Sequence, residues 1–179
     1  MSHLPSRLLS VLASAFVACA CLITPASGQL MQIDEVKANY ISGFLQYVNW
    51  TADQAADGIV IGVVGSKEIE RRLAAGAIKQ PGRSDVVQIV TIDPGDDLSA
   101  IDVLYVAKGH KSSWSRLMKT CREHDILTIG EEEGFLSAGG CIEFVTRRNT
   151  IRFMIHIENA REHGVDFRSK LLDVALEIR

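Results

Sequence analysis

The sequence predicts an α/β fold: a single domain with a central, mostly parallel sheet flanked by helices and a C-terminal antiparallel hairpin. Three observations lead there. Ile59–Val64 (IVIGVV) is an uninterrupted apolar, β-branched run, as a strand covered on both faces requires. From there to residue 129, short apolar runs alternate with stretches of helical period, the pattern of a parallel sheet with helices on its faces. Beyond residue 140 two further strand-like runs, Cys141–Thr146 and Ile151–Ile157, flank Arg147-Arg148-Asn149-Thr150, a natural hairpin turn.

The elements follow in order. Asp34 to Val48 spaces Val36, Tyr40, Phe44 and Tyr47 three or four apart, which predicts a helix, with Asp34 and Glu35 where the helix dipole favours acids. Ser66 is placed to cap a charged helix over 66–75. Val86–Ile92 and Val103–Ala107 are the second and third strands. Ser112 or Ser113 opens a helix whose Trp114, Leu117, Met118 and Cys121 share one face. Ile126–Ile129 is a fourth strand. A short helical turn over 158–163 stops at Gly164, and Ser169–Ile178 is predicted as a final amphipathic helix. No repeat or linker divides the chain.

The hydrophobic content is unevenly spread. Leu8 to Ile23 carries no charge, Arg7 precedes it, and small residues Ala26 and Gly28 follow, the pattern of a secretory leader cut before Gln29. Sixteen apolar residues fall short of the roughly 20 that span a bilayer. The expected organisation is therefore a leader over 1–28 and an α/β domain over 29–179, with no transmembrane segment after cleavage. The net charge of −3, with no Lys/Arg cluster, excludes a general nucleic-acid binder. Of the four cysteines only Cys121 and Cys141 lie outside the leader. They are a candidate disulfide in an oxidising compartment, or equally two separate buried thiols.

Catalytic signatures are missing. There is no G-x-S-x-G, H-E-x-x-H, Walker loop or G-x-G-x-x-G, and Gly62-Val63-Val64-Gly65 reads as close packing at a strand exit. Cys121 and His124 have no second ligand pair to complete a zinc site. Glu131-Glu132-Glu133 reads as a solvated loop. His110 stands at a strand exit, where α/β folds bind ligands, but has no identifiable carboxylate or nucleophile partner. The expectation is a non-enzyme without cofactor or metal.

Two features stand out instead. Tyr40, Phe44, Tyr47 and Trp50 form an aromatic stripe, with Ile41, Leu45 and Val48 beside it. Most of such a stripe belongs to a core, but a helix apolar on more than one side also suits a partner, so Phe44, Tyr47 and Trp50 are candidate partner-binding residues. In the last strand Arg152, Met154 and His156 alternate with Ile151, Phe153, Ile155 and Ile157. They form a candidate ligand or partner face, or a face covered by a helix.

The ordered motifs resemble one family. KANYISGFLQYVNW resembles the opening helix of the YfiR-like periplasmic proteins, and Ile59–Gly65 and Val103–Val106 resemble two of their strands. The tail is similar too: Gly139-Gly140-Cys141-Ile142-Glu143-Phe144, then Ile151-Arg152-Phe153 and Ile155, then Ala160, Gly164 and Ser169-Lys170-Leu171-Leu172. Thr51, His156, Arg168 and Ile101 depart from the family pattern, the last at a position where several members carry Cys. The resemblance implies a periplasmic repressor that contacts the periplasmic sensory domain of an inner-membrane diguanylate cyclase. It thereby controls cyclic-di-GMP signalling and biofilm formation, with relief by an OmpA-like outer-membrane lipoprotein. A homodimer is a further candidate assembly. The alternative is a periplasmic small-ligand carrier or sensor using Arg152 and His156.

Overall fold

Strand pairing turns the apolar runs into one seven-stranded sheet in the order β2-β1-β3-β4-β5-β6-β7, seen in a computed structural model that describes residues 26–50, 58–76, 87–148 and 150–179. The strands are β1 (Ile59–Val64), β2 (Val87–Thr91), β3 (Val103–Val106), β4 (Leu127–Gly130), β5 (Ile142–Arg147), β6 (Thr150–Ile155) and β7 (Glu177–Ile178). From β2 to β5 all neighbours run parallel. β5 and β6 form the antiparallel hairpin, in register Ile142↔Ile155 through Arg147↔Thr150, and β7 returns parallel to β6. The helices are α1 (Ala26–Phe44), α2 (Lys67–Ala75), α3 (Trp114–Glu123), α4 (Ile157–Glu162) and α5 (Ser169–Leu172).

Two apolar clusters sandwich the sheet, as continuous β-branched strands demand. On one face Ile59, Ile61 and Val63 meet Val103, Tyr105, Leu127, Ile129, Ile142, Phe144, Phe153 and Ile155, covered by α1 through Ile41 and Phe44 and by α2 through Ile69 and Leu73. On the other, Val64, Leu104 and Val106 pack under Trp114, Leu117, Met118 and Cys121 of α3, the face that the spacing predicts, together with Phe135. Ser66 caps α2 as expected, its Oγ accepting from the Ile69 N–H at 3.2 Å, a contact of a kind worth about 1 kcal/mol.

Two expectations are corrected. The first helix starts at Ala26, and its α-helical part ends at Phe44, followed by a 3-10 turn over Leu45–Tyr47. The chain leaves the helix there because Val48 must lie extended to bridge Phe167, with Asn49 N–H donating to the Asp166 carbonyl and Arg168 N–H to that of Tyr47. The final helix is only α5; Val174, Leu176 and Ile178 repeat every second residue, a strand period, and the segment pairs with β6 instead. The expected leader lies outside the described residues except for 26–28, which form the first turn of α1.

The connection from β4 to β5 is a chain of turns rather than a helix, built on Phe135. Its ring, fully buried, is wedged between Gly130 and Gly140 and packs edge-on to Trp114 at 5.3 Å. A Cβ at either glycine would run into the ring. Gly130→Ala is therefore expected to lower the unfolding free energy by about 1–3 kcal/mol in a denaturant titration, the cost of overpacking a filled site.

His163 is also fully buried. Its Nδ1 donates to the Ile126 carbonyl at 2.9 Å, while Nε2 has no hydrogen-bond partner among the described residues. Burial holds its pKa below the ordinary imidazole value. The unfolded chain thus binds a proton that the folded one refuses. The neutral ring's contribution is full above about pH 6.5 and is lost as pH falls towards the depressed folded-state value, at up to about 1.4 kcal/mol per pH unit. Denaturant titrations between neutral and mildly acid pH should show that slope, and His163→Gln should flatten it.

Candidate functional site

Register decides which side chains share the face that α3 leaves uncovered. Glu143 pairs with Met154, and Met154 with Glu177, so these three lie on one rung opposite the α1 side; Val145 and Arg152 form the next. Beside them the exits of β3 and β4 carry Lys108, Lys111 and Glu131–Glu133. With Glu143, Val145, Met154 and Glu177 they line a cleft of about 820 Å³, with Arg147, Arg179 and Ser137 on its walls.

The walls are fixed by charge-assisted hydrogen bonds. Glu131 accepts from the Lys108 N–H at 3.0 Å and pairs with Lys37 of α1. Glu132 accepts from the Gly109 N–H at 2.9 Å and lies 3.4 Å from Lys111. The Gly109 contact is the main reason that the Glu132 carboxyl sits below the usual carboxylate range. The prediction of a merely solvated acidic run is corrected for these two, whose carboxylates cap the neighbouring loop. Glu143 is 3% exposed, an unusual carboxylate inside the strand pair, and accepts from the Leu136 N–H at 3.1 Å. Leu136 is held in turn by Asn159, whose Nδ2 donates to the Leu136 carbonyl at 2.7 Å and to that of Gly140 at 2.8 Å. At the outer lip Arg179 donates to Glu177 at 2.8 Å, which lowers the Glu177 pKa.

The cleft therefore presents interleaved cations and carboxylates. Among the described residues no histidine or cysteine lines it. Such a surface can recognise a charged partner or ligand. Across the sheet, on the α1 side, Tyr105 is buried, and burial together with the Glu131 charge pushes its phenol above the ordinary range.

The residues singled out by sequence fall in different places. Phe44 is 1% exposed and stacks between Tyr40, Phe144 and Phe153, so its candidacy as a contact residue is corrected: it is core. Tyr47 and Trp50 are half-buried at the exit of α1, with the Trp50 indole N–H donating to the Leu45 carbonyl at 2.9 Å. Met154 lines the cleft but is buried, whereas Arg152 is half-buried and is not among the lining residues. His156 caps α4, its Nδ1 accepting from the Asn159 N–H at 3.2 Å, so its ring serves the fold. The structure thus does not gather Arg152, Met154 and His156 into one open face. His110 packs its ring over Gly65, which sits at φ +77° and has no room for a side chain.

Glu143, Arg147, Glu177 and Arg179 are among the lining residues that sequence reasoning missed. A carboxylate inside the apolar run CIEFV was the available signal for Glu143. The lip residues were hidden by the expectation of a helix there. Among the described residues no group of three or more His, Cys, Asp and Glu is arranged to hold a metal, and no helix is long and apolar enough to cross a membrane.

A family model described as YfiR/HmsC-like matches residues 34–176, from within α1 to the edge of β7. The chain belongs to the YfiR/HmsC-like family. No curated protein matches it. Among solved structures this YfiR/HmsC-like chain is similar to a conserved domain protein from Vibrio cholerae O1 biovar eltor, with 13% identity and a TM-score of 0.56. It is also similar to an ABC domain in complex with L-Trp from Streptococcus pneumoniae, with 11% identity and a TM-score of 0.53. In both cases the match covers 82% of this chain and 60% of the other, so the chain spans less than two-thirds of their length. At such identities the likeness is one of fold.

Cys121 and Cys141 are free thiols in this structure, both buried. Cys141 N–H donates to the Thr128 hydroxyl at 3.0 Å, and the hydroxyl lies 3.3 Å from the Cys141 sulfur. Burial pushes Cys121 up to about 12 and Cys141 up to about 11, so neither is a thiolate near neutrality. Alkylation of the native protein at mildly basic pH should be slow at both positions and rapid only on unfolding, with peptide mass spectrometry as the measure. A pair protected even after unfolding without reductant would instead reveal a bridge.

Proposed function

We propose that this chain is a periplasmic regulatory binding protein that restrains an inner-membrane diguanylate cyclase by contact with the cyclase's periplasmic sensory domain. It thereby controls cyclic-di-GMP and biofilm formation, and an OmpA-like outer-membrane lipoprotein relieves the restraint. The observation that carries this reading is the family match over residues 34–176. The leader-like start of the sequence supports export. A cleft that interleaves Lys108, Lys111, Arg147 and Arg179 with Glu131–Glu133 and Glu177 supports recognition by charge, which sets specificity and encounter rate. The half-buried Trp50 supplies an aromatic anchor at the exit of α1.

The cleft volume favours a second reading, a small-ligand carrier, since about 820 Å³ lies within the usual range of ligand sites. Its walls are charged where such sites are mostly apolar, so the protein-contact reading is the better supported.

Isothermal titration of the purified protein with the periplasmic segment of a cyclase from the same cell should show binding. Trp50→Ala and Arg147→Glu should each weaken it by tenfold or more, the loss expected of an interface anchor. Deletion of the gene should raise cellular cyclic-di-GMP; an unchanged level sinks the proposal. A metabolite carried through purification and lost in Glu143→Ala would establish the carrier reading instead.

A further inference from the structure

His110 is half-buried and takes no part in the charged cleft. It stands where the sheet reverses its order. In β2-β1-β3-β4 the strand that follows β1 lies on one side and the strand that follows β3 on the other, with β1 and β3 parallel between them. α2 leaves β1 towards one face, and α3 leaves β3 towards the opposite one. At such a point the strand exits of an open α/β sheet part and leave a crevice in which ligands bind. Three exits meet here: Gly65 after β1, Pro94 and Gly95 after β2, and His110 after β3. Pro94 and His110, with Ser112 and Ser113 just before α3 and Arg116 within it, line a cavity of about 350 Å³. It shares no lining residue with the charged cleft.

The cavity holds polar groups that the fold fixes in place but does not satisfy. Gly65, at φ +77°, lets the His110 ring lie directly against its backbone. Ser113 ties the same residue from its own side, its N–H and hydroxyl both donating to the His110 carbonyl, at 3.0 and 2.7 Å. The imidazole nitrogens, the Ser112 hydroxyl and the Arg116 guanidinium have no hydrogen-bond partner among the described residues. The guanidinium lies over Gly95, and no acid lines the cavity among the described residues. In the adjoining turn Asp96 accepts from the Asp93 N–H at 2.8 Å, and Asp97 from the Ser99 N–H and hydroxyl at 2.9 Å, so both carboxylates serve their own loop.

We infer that this cavity is an oxyanion site for a small phosphate monoester. The Arg116 fork alone would satisfy the two oxygens of a carboxylate. The fork together with the imidazole and the Ser112 hydroxyl offers donors for the three terminal oxygens of a phosphate ester. The volume lies near the lower end of the range of about 300–1,000 Å³ usual for ligand sites, and Pro94 alone is apolar among the described lining residues. Both suit a phosphate carried on a short, polar alcohol.

Isothermal titration of the purified protein with glycerol 3-phosphate reads the proposal, with inorganic phosphate, acetate and glycerol alongside. Glycerol 3-phosphate and phosphate should bind saturably at one site, and acetate and glycerol about tenfold more weakly or not at all. Arg116→Gln should weaken glycerol 3-phosphate by about tenfold or more, and Arg116→Lys, which keeps the charge without the fork, should recover only part of the loss. Lys119→Gln removes another exposed charge from the same helix and should change nothing. Both positions are exposed, so circular dichroism should show an unchanged fold in each variant. Sedimentation with vesicles containing phosphatidic acid separates two sources of the ester. Co-sedimentation that depends on Arg116 assigns it to a lipid headgroup, and its absence beside glycerol 3-phosphate binding assigns it to a soluble molecule; either upholds the site. No saturable binding of glycerol 3-phosphate, acetate binding as tightly as phosphate, or an affinity indifferent to Arg116→Gln would each overturn it.

Discussion

The wedge of Phe135 between Gly130 and Gly140 governs how this sheet changes character. A parallel connection ordinarily needs a helix to cover the sheet while the chain returns. Here a single aromatic ring takes that part. It fills the space under Trp114, and the turns around it bring the chain back to β5. Because the ring replaces a helix, the far side of β5, β6 and β7 stays open. The same turns fix Leu136, whose N–H meets the Glu143 carboxylate. Cleft, buried carboxylate and hairpin register all follow from two missing Cβ atoms.

A second tie acts at the carboxyl ends of the strands. Lys37 of α1 lies between Asp34 and Glu131, with its side chain only 12% exposed. Partial burial weakens screening by solvent, so this pair holds α1 against the β4 exit more firmly than surface pairs such as Arg71–Glu68 hold anything. At the other end α1 is secured by backbone, through the Val48–Phe167 bridge. The helix is therefore clamped along its length, and Tyr40 and Phe44 fit against Phe144 and Phe153.

Much of this was legible in the sequence. Strands β1, β3 and β4 and the hairpin show in their β-branched runs, and α3 in the spacing of Trp114, Leu117, Met118 and Cys121, because burial on both faces leaves a strong periodic trace. The tail is ambiguous in sequence because Leu171 and Leu172 begin a helical pattern whose continuation at Val174, Leu176 and Ile178 fits both periods. Only the open edge of β6 decides between them. The cleft was illegible for a different reason: its walls come from loops and strands distant in sequence, joined by pairing register. Arg152, Met154 and His156 alternate correctly, yet the chain bends into α4 at His156 and turns that ring to capping.

The dependence of α1 on partners near the other end of the chain has a kinetic consequence. The aromatic side of its stripe finds Phe144 and Phe153 only after the hairpin exists, about a hundred residues downstream. Chains emerge N-terminus first during synthesis, so α1 is made long before its surface is. Closing so large a loop is among the slow steps of a fold. Until then α1 has only the nearer partners Ile61, Ile69 and Leu73, and the aromatic side of its stripe, Tyr40 and Phe44, lacks its neighbours.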